Sequence, residues 1–409
     1  MRPLLQAAIR MPFFLWLAGL FLLSTGCVPN QLVGSEPGLG LTTQQLSTID
    51  AERTIMVVIK DPRGERYRRG LGTPGYGDTA AYADDPALDR AGEALARKYS
   101  LTLVAHWPLR NLPVLCLVVE EPSRETVAKL RADKNVQWVQ AFNEFSTQAT
   151  SAVSASFTPG DYQSIFAEPP GHGAGVTVAI IDTSFDTSHP SLARSSIRQQ
   201  NFAGSQERIG NESHGTAVVG LIAAQPHSGT QLLGIAREAT VEVLRACWQH
   251  EGETRGRCNT LTLALALDRA IDLTPEVLNL SITGPADRVL EKLVDQLLRK
   301  GTLVVAAFDE ALMENERFPR SRDGVAYAFG TSGTDRSLPN AKIDTVLLTA
   351  PRHALSLAPA ASYDLVSGHS VAAPQVSGLA ARLIASKPDA SREEILTELS
   401  SRLAPRQHR

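Results

Sequence analysis

The chain is poor in the residues that staple or charge a fold. Its four cysteines, Cys27, Cys116, Cys247 and Cys258, are too few among 409 residues for a disulfide scaffold. They also lack the paired short spacings of a zinc site, so no metal is expected from them. Neither sign of charge is in excess: 40 basic against 43 acidic residues leave a formal net charge of −3, which gives no bulk basic signal for nucleic acid. No Gly-rich phosphate loop with a following Lys-Ser or Lys-Thr occurs after any predicted strand, which argues against a nucleotide-binding α/β protein. What remains is an ordinary globular composition, 43% hydrophobic, with length enough for a large core and usually two domains.

The first residues read as an address. Arg2 and Arg10 precede an apolar run from Met11 to Leu23, followed by Ser24-Thr25-Gly26-Cys27. A basic region, a short apolar stretch and small residues describe an export signal over residues 1–26, too short to span a bilayer comfortably. The cysteine after Thr-Gly resembles a bacterial lipoprotein lipobox, although Leu23 lies one residue further from the cysteine than the usual leucine. That resemblance implies Cys27 as a lipidated first residue anchored in the cell envelope. Val28 beside it, rather than an aspartate, fits the outer membrane on its periplasmic side. The alternative is a cleaved secretory signal with an incidental cysteine. Residues 27–50 are rich in Gly, Ser, Thr and Gln with no apolar period, as in a flexible tether.

Residues 51–145 carry the pattern of a small α+β domain. Strands are predicted over Thr54–Lys60, Leu101–His106, Pro113–Glu120 and Val136–Phe142, with helices over Pro86–Tyr99 and Ser123–Ala132. The order β-α-β-β-α-β is the split βαβ, or ferredoxin-like, arrangement. Cys116 alternates with apolar neighbours and is expected as a buried thiol. No clustered Ser, His, Asp or Glu gives this domain a catalytic role. Residues 146–175 read as a linker. From 176 to about 400, continuous Val/Ile/Leu strands alternate with helices, which predicts a doubly wound parallel sheet with helices on both faces.

Three segments of that second region carry chemistry. Asp182 ends a buried strand, at the edge where open α/β sheets place ligands, although such a residue is often only a turn former. His214 opens an apolar helix, followed by Gly215 for close approach; alone it reads as structural. Ser370 lies between a small-residue loop, Ser362–Ser367, and an Ala-rich helix, Val371–Ala385, with Pro374 placed in the first turn. A serine there is a helix cap or a nucleophile sited where free N–H groups favour an anion. Together the three supply an orienting acid, a general base and a hydroxyl that needs one.

The stretches DTSFDTSHP, SHGTAVVGLIAA, LNLSITGP, FPRSRDGVAYAFGTSGTD and GHSVAAPQVSGLAA resemble, in order and spacing, the subtilisin-like serine proteases. The resemblance covers roughly 175–386. It implies a seven-stranded sheet, peptide hydrolysis by Asp182, His214 and Ser370 without a cofactor, and a peptide or protein substrate. The domain before it is similar to the family's propeptide, an intramolecular inhibitor and folding chaperone. Ser281 and Thr283, on the stretch Leu278–Thr283, are expected to hold substrate as an added strand. Several positions depart from the family pattern. Asp309 stands in place of the oxyanion Asn, and only a protonated carboxyl could donate there. Phe308 and Thr283 replace glycines of the pocket for the residue before the scissile bond, which should shrink it. Ser184 and His369 replace a Gly and a Thr. Ser191 replaces a calcium-binding Asp, so no calcium site is expected. Cys247 and Cys258 flank a polar loop after a strand; in an oxidising periplasm they are a disulfide or two separate thiols. A second reading is a catalytically impaired binding lipoprotein on the same fold.

Overall fold

Residues Ile55 to Ile59 are five apolar side chains in a row, a pattern suited to a strand covered on both faces, and they form the middle of β1 (Thr54–Lys60). The computed structural model describes residues 49–63, 86–120, 122–147, 171–203, 212–227, 232–250, 253, 255–312, 316–331 and 346–403. The export signal, Cys27, most of the tether and most of the linker lie outside the described residues. After β1 come α1 (Pro86–Tyr99), β2 (Thr102–Leu109), β3 (Val114–Glu120), α2 (Arg124–Ala132) and β4 (Val136–Ala141). They form an antiparallel sheet in the order β2-β3-β1-β4. Alternation divides its side chains between two layers. Val57, Ile59, Leu115, Leu117 and Val119 pack on Leu88 and Leu95 of α1 and Leu130 of α2. Met56, Val58, Trp107, Cys116 and Val118 face the other way. Burial holds the Cys116 thiol well above its usual range, which leaves it inert. The chain continues straight into a short strand, β5 (Glu144–Thr147), which crosses the boundary placed at 145 between domain and linker.

The larger unit runs β6 (Thr177–Asp182), β7 (Ser196–Asn201), α3 (Ser213–Ala223), β8 (Thr240–Arg245), β9 (Arg257–Asn259), α4 (Thr260–Leu273), β10 (Val277–Leu280), β11 (Ile282–Thr283) and α5 (Arg288–Arg299). It continues with β12 (Leu303–Ala307), β13 (Val325–Thr331), β14 (Val346–Pro351), β15 (His353–Ala358), β16 (Ser362–Ser367), α6 (His369–Ser386) and α7 (Arg392–Leu403). Seven strands make one parallel sheet in the order β14-β13-β12-β10-β6-β8-β7. On one face Val178, Ile180, Val243 and Val305 meet α3, α6 and α7. On the other, Ala179, Ile181, Leu280 and Val304 meet α4 and α5. The doubly wound sheet is therefore as expected.

Three elements differ from the sequence expectation. The segment Ser362–Ser367, read as a loop, is β16, the return strand of a hairpin with β15. Its exposed half carries Ser, Tyr and Asp, so no apolar run marks it. Strand β7 is an edge strand of sequence SIRQQN, in which Ile197 is the one hydrophobic side chain. Helix α7 buries only Ile395, Leu399 and Leu403, a narrow stripe.

Helices α4 and α5 lie between the two sheets, because their far side carries the second face of the N-terminal sheet within one continuous core. Polar ties fix the docking. Asp268 of α4 accepts from the backbone N–H groups of Arg110 and Asn111, at 3.0 and 2.8 Å. Asp287 caps α5 through the N–H groups of Val289 and Leu290 and also accepts from Gln140 at 2.8 Å and Asn143 at 3.0 Å.

Candidate active site

Asp182 is the last residue of β6, a central strand, and its carboxylate is wholly buried. Oδ1 accepts from His214 Nδ1 at 2.7 Å and from the N–H of Thr183 at 2.6 Å. His214 sits in the first turn of α3, also wholly buried. Donation from Nδ1 fixes the tautomer and leaves the lone pair on Nε2, which makes no hydrogen bond among the described residues. The close approach needs Gly215: a Cβ there would lie 2.3 Å from the carbonyl oxygen of Ser184 and 2.6 Å from that of Thr183. The Gly215 N–H instead donates to Thr183 Oγ1 at 2.9 Å, which pins the strand exit to the helix start.

Ser370 is the second residue of α6, after Gly368, whose φ of 147° is a conformation that glycine reaches most easily. Helix α6 packs on α3 through Val371 against Ala217 and Leu221. The first turns carrying Ser370 and His214 therefore belong to neighbouring helices on one face of the sheet. Pro374 lies in the second turn of α6, not the first. Having no N–H, it cannot bond the carbonyl four residues back, that of Ser370. Ser281 Oγ donates to that carbonyl at 3.1 Å. Ser281 in turn accepts from Asn279 at 3.0 Å, and Asn279 accepts from Ser377 at 2.9 Å. A buried polar chain thus ties β10 to the helix that carries Ser370. Sequence reasoning missed Asn279 and Ser377; two polar residues facing the interior of otherwise apolar elements were the available signal.

The gap between strands β9 and β11 forms a groove, and the chain's own segment fills it. Strand β5 lies between β9 and β11, antiparallel to both. Ser146 pairs with Thr283, Thr147 with Ile282, and Phe145 with Cys258. Thr147 is fully buried; its N–H donates to the Gly256 carbonyl at 2.9 Å and its hydroxyl accepts from the Gly256 N–H at 2.8 Å. Phe145 packs edge-on against Phe318, ring centroids 5.7 Å apart.

A model of the subtilase family matches residues 173–403, more than half of the chain. The chain belongs to the subtilase family. The major intracellular serine protease of Bacillus subtilis is 30% identical over 239 residues, 55% of this chain and 73% of that one. Thermitase of Thermoactinomyces vulgaris is 27% identical over 223 residues, 54% of this chain and 78% of that one. Subtilisin E of Bacillus subtilis is 25% identical over 300 residues, 68% of this chain and 72% of that one. In fold, fervidolysin from Fervidobacterium pennivorans, a keratinolytic enzyme related to subtilisin, superposes with a TM-score of 0.63 at 18% identity, over 85% of this chain and 57% of that one.

The positions read from the sequence as departures from the family pattern each have a defined place in this subtilase. Asp309 is half-buried, and its Oδ1 accepts from the N–H of Ala311 at 2.9 Å, an acceptor's role. Phe308 is almost wholly buried, in the same cluster as Phe145 and Phe318. It packs edge-on against Tyr327 and Phe329, with the Arg317 guanidinium 4.5 Å above its ring. His369 is stacked on Phe329 at 4.6 Å; its Nδ1 accepts from the Gly330 N–H at 2.8 Å and its Nε2 meets Glu310 Oε1 at 3.1 Å. Burial and Arg352 hold the His369 imidazole below its usual value against the opposing pull of Glu310. Ser184 Oγ donates to Gln199 at 3.0 Å, and Ser191 Oγ lies 3.0 Å from the Tyr363 hydroxyl. Cys247 and Cys258 are joined by a disulfide. It links the end of β8, where the Cys247 N–H donates to the Asp182 carbonyl at 3.1 Å, to the groove strand β9.

Proposed function

We propose that this subtilase is an exported, lipid-anchored serine endopeptidase made as a self-inhibited precursor. Strand β5 carries the reading. A peptide held between two edge strands presents its backbone to be read and its alternate side chains to pockets. Its direction takes Thr147 to the Ser281 end of β11, and the Ser281 hydroxyl bonds the Ser370 carbonyl. Residues 144–147 therefore occupy the place of a substrate's acyl side, and the N-terminal domain is the inhibitor that delivers them. Ser370 Oγ would attack the carbonyl carbon with His214 Nε2 taking its proton, while Asp182 stabilises the imidazolium. The His214 proton would then pass to the leaving amine. The Ser370 N–H and the side chain of Asp309, if protonated, would meet the oxyanion. Cleavage just beyond Thr147 would also free the protease from Cys27 and its lipid.

Intact mass after expression of the signal-free chain tests this, with wild type beside Ser370→Ala at neutral and mildly acidic pH. Loss of an N-terminal fragment ending shortly after Thr147 in the wild type alone is expected. Two full-length proteins under every condition would sink the protease reading. The acceptor role of Asp309 favours the second reading, a binding protein that has lost turnover, and that outcome would select it.

A further inference from the structure

The triad leaves a buried ion pair on its flank without a task. Glu212 lies two residues before His214 and Arg245 ends β8; they are 3% and 1% exposed. Arg245 is in register with Asp182 on one neighbouring strand and with Asn201 on the other. Its Nη2 donates to Glu212 Oε1 at 2.7 Å and its Nε to Oε2 at 3.0 Å, a two-point grip. Its Nη1 donates to Asn201 Oδ1 at 3.0 Å. Each carboxylate oxygen also takes a backbone N–H: Oε1 that of Gln249 at 3.1 Å, and Oε2 that of Ser184. One carboxylate therefore joins the loop leaving Asp182, the residues opening the His214 helix, and the loop after β8.

An apolar pair of similar volume would often be as stable as a buried ion pair, so stability alone does not explain the charges. What charges add is direction, because only a carboxylate can accept four donors converging from three segments. Resting on the triad reading above, we propose that Glu212 and Arg245 are positioning residues: they hold Asp182 and His214 in mutual register and keep the charge beside them neutral. Among the described residues, Asp186, after β6, and Glu253, whose carbonyl accepts from the Gln249 side chain, also lie on the segments that meet here. Asp186 N–H donates to Thr216 Oγ1 of α3 at 2.9 Å, while its carboxylate is taken by Ser188 and Ala360.

The test compares full-length wild type with Glu212→Gln and with the double variant Glu212→Gln/Arg245→Met. NMR of the labelled imidazoles follows the pH at which His214 takes up its proton, and kcat and KM are read on the anilide of the peptide Phe-Ser-Thr-Gln. In Glu212→Gln the Arg245 cation, in register with Asp182, loses its counter-ion, and the His214 midpoint should fall. The double variant, again neutral, should return the midpoint to the wild-type value. Both variants should lose about 10-fold or more in kcat at a KM within about 2-fold, since the bridge between the loops is gone. A folded Glu212→Gln with an unmoved midpoint overturns the proposal. If Glu212→Gln does not fold, the double variant decides: folded with reduced kcat supports it, and folded with wild-type kcat refutes it. If neither folds, the pair is structural and the proposal fails. The NMR midpoint needs no turnover, so failure of the protease reading is visible separately.

Discussion

Substituting Gly284 with alanine should expel the chain's own segment from the groove without touching the triad. A Cβ at 284 would lie 2.2 Å from Phe145 Cδ1 and 2.9 Å from Cε1, and the ring is closed in by Phe318. Phe145 is 3% exposed, so its release forfeits about 1.5–3 kcal/mol of burial. Losing the edge-to-face contact with Phe318 costs about 0.5–1.5 kcal/mol more. A weakening of about 2–4 kcal/mol corresponds to about 30- to 1,000-fold in the docking equilibrium of β5. Hydrogen exchange in the Ser370→Ala chain, which keeps the segment uncut, reads this at the Thr147 amide bonded to Gly256. That amide should exchange faster by the same factor in Gly284→Ala, while amides of β10 stay as protected as before. Unchanged protection at Thr147 would refute the argument that Phe145 anchors the strand.

Asp309→Asn should raise kcat on a peptide anilide by about 100-fold at neutral pH, by supplying the missing donor; an unchanged rate at every pH removes residue 309 from the oxyanion site. Cys247→Ser/Cys258→Ser should lower stability by about 2–3 kcal/mol in denaturant unfolding, since the bridge closes a loop of sequence separation 11. It should also raise KM more than it lowers kcat, because β9 is a wall of the groove; an equal loss in both would contradict that placement. His369 carries a pH dependence whose sign follows from its lowered folded-state value, set by burial first and Arg352 second. In the window between that value and the ordinary imidazole value the unfolded chain binds more protons, so stability is full above the window and is lost as pH falls through it. Melting temperatures between pH 7 and about 4 should fall less steeply in His369→Gln than in wild type; parallel curves would exclude His369 as the group responsible.

Some of this protein was written locally and some was not. The apolar runs of β1, β3, β6, β10 and β12 are covered on both faces, so their sequences announce strands and, with the intervening helices, the parallel sheet. Asp182, His214 and Ser370 are recognisable because each lies at an abrupt change from an apolar element to a small or polar residue. Elements with little apolar surface of their own were illegible: β7, β16 and α7 become ordered against a core built by other segments. So was the meaning of residues 144–147. In sequence they straddle the boundary between domain and linker, with Phe145 their one apolar residue; only the pairing with β9 and β11, more than a hundred residues away, makes them a strand in a groove. The same holds for Glu212 and Arg245. Charges in a sequence predict solvent, and tertiary structure alone decided that these two would be buried together, because their partners come from segments distant in the chain.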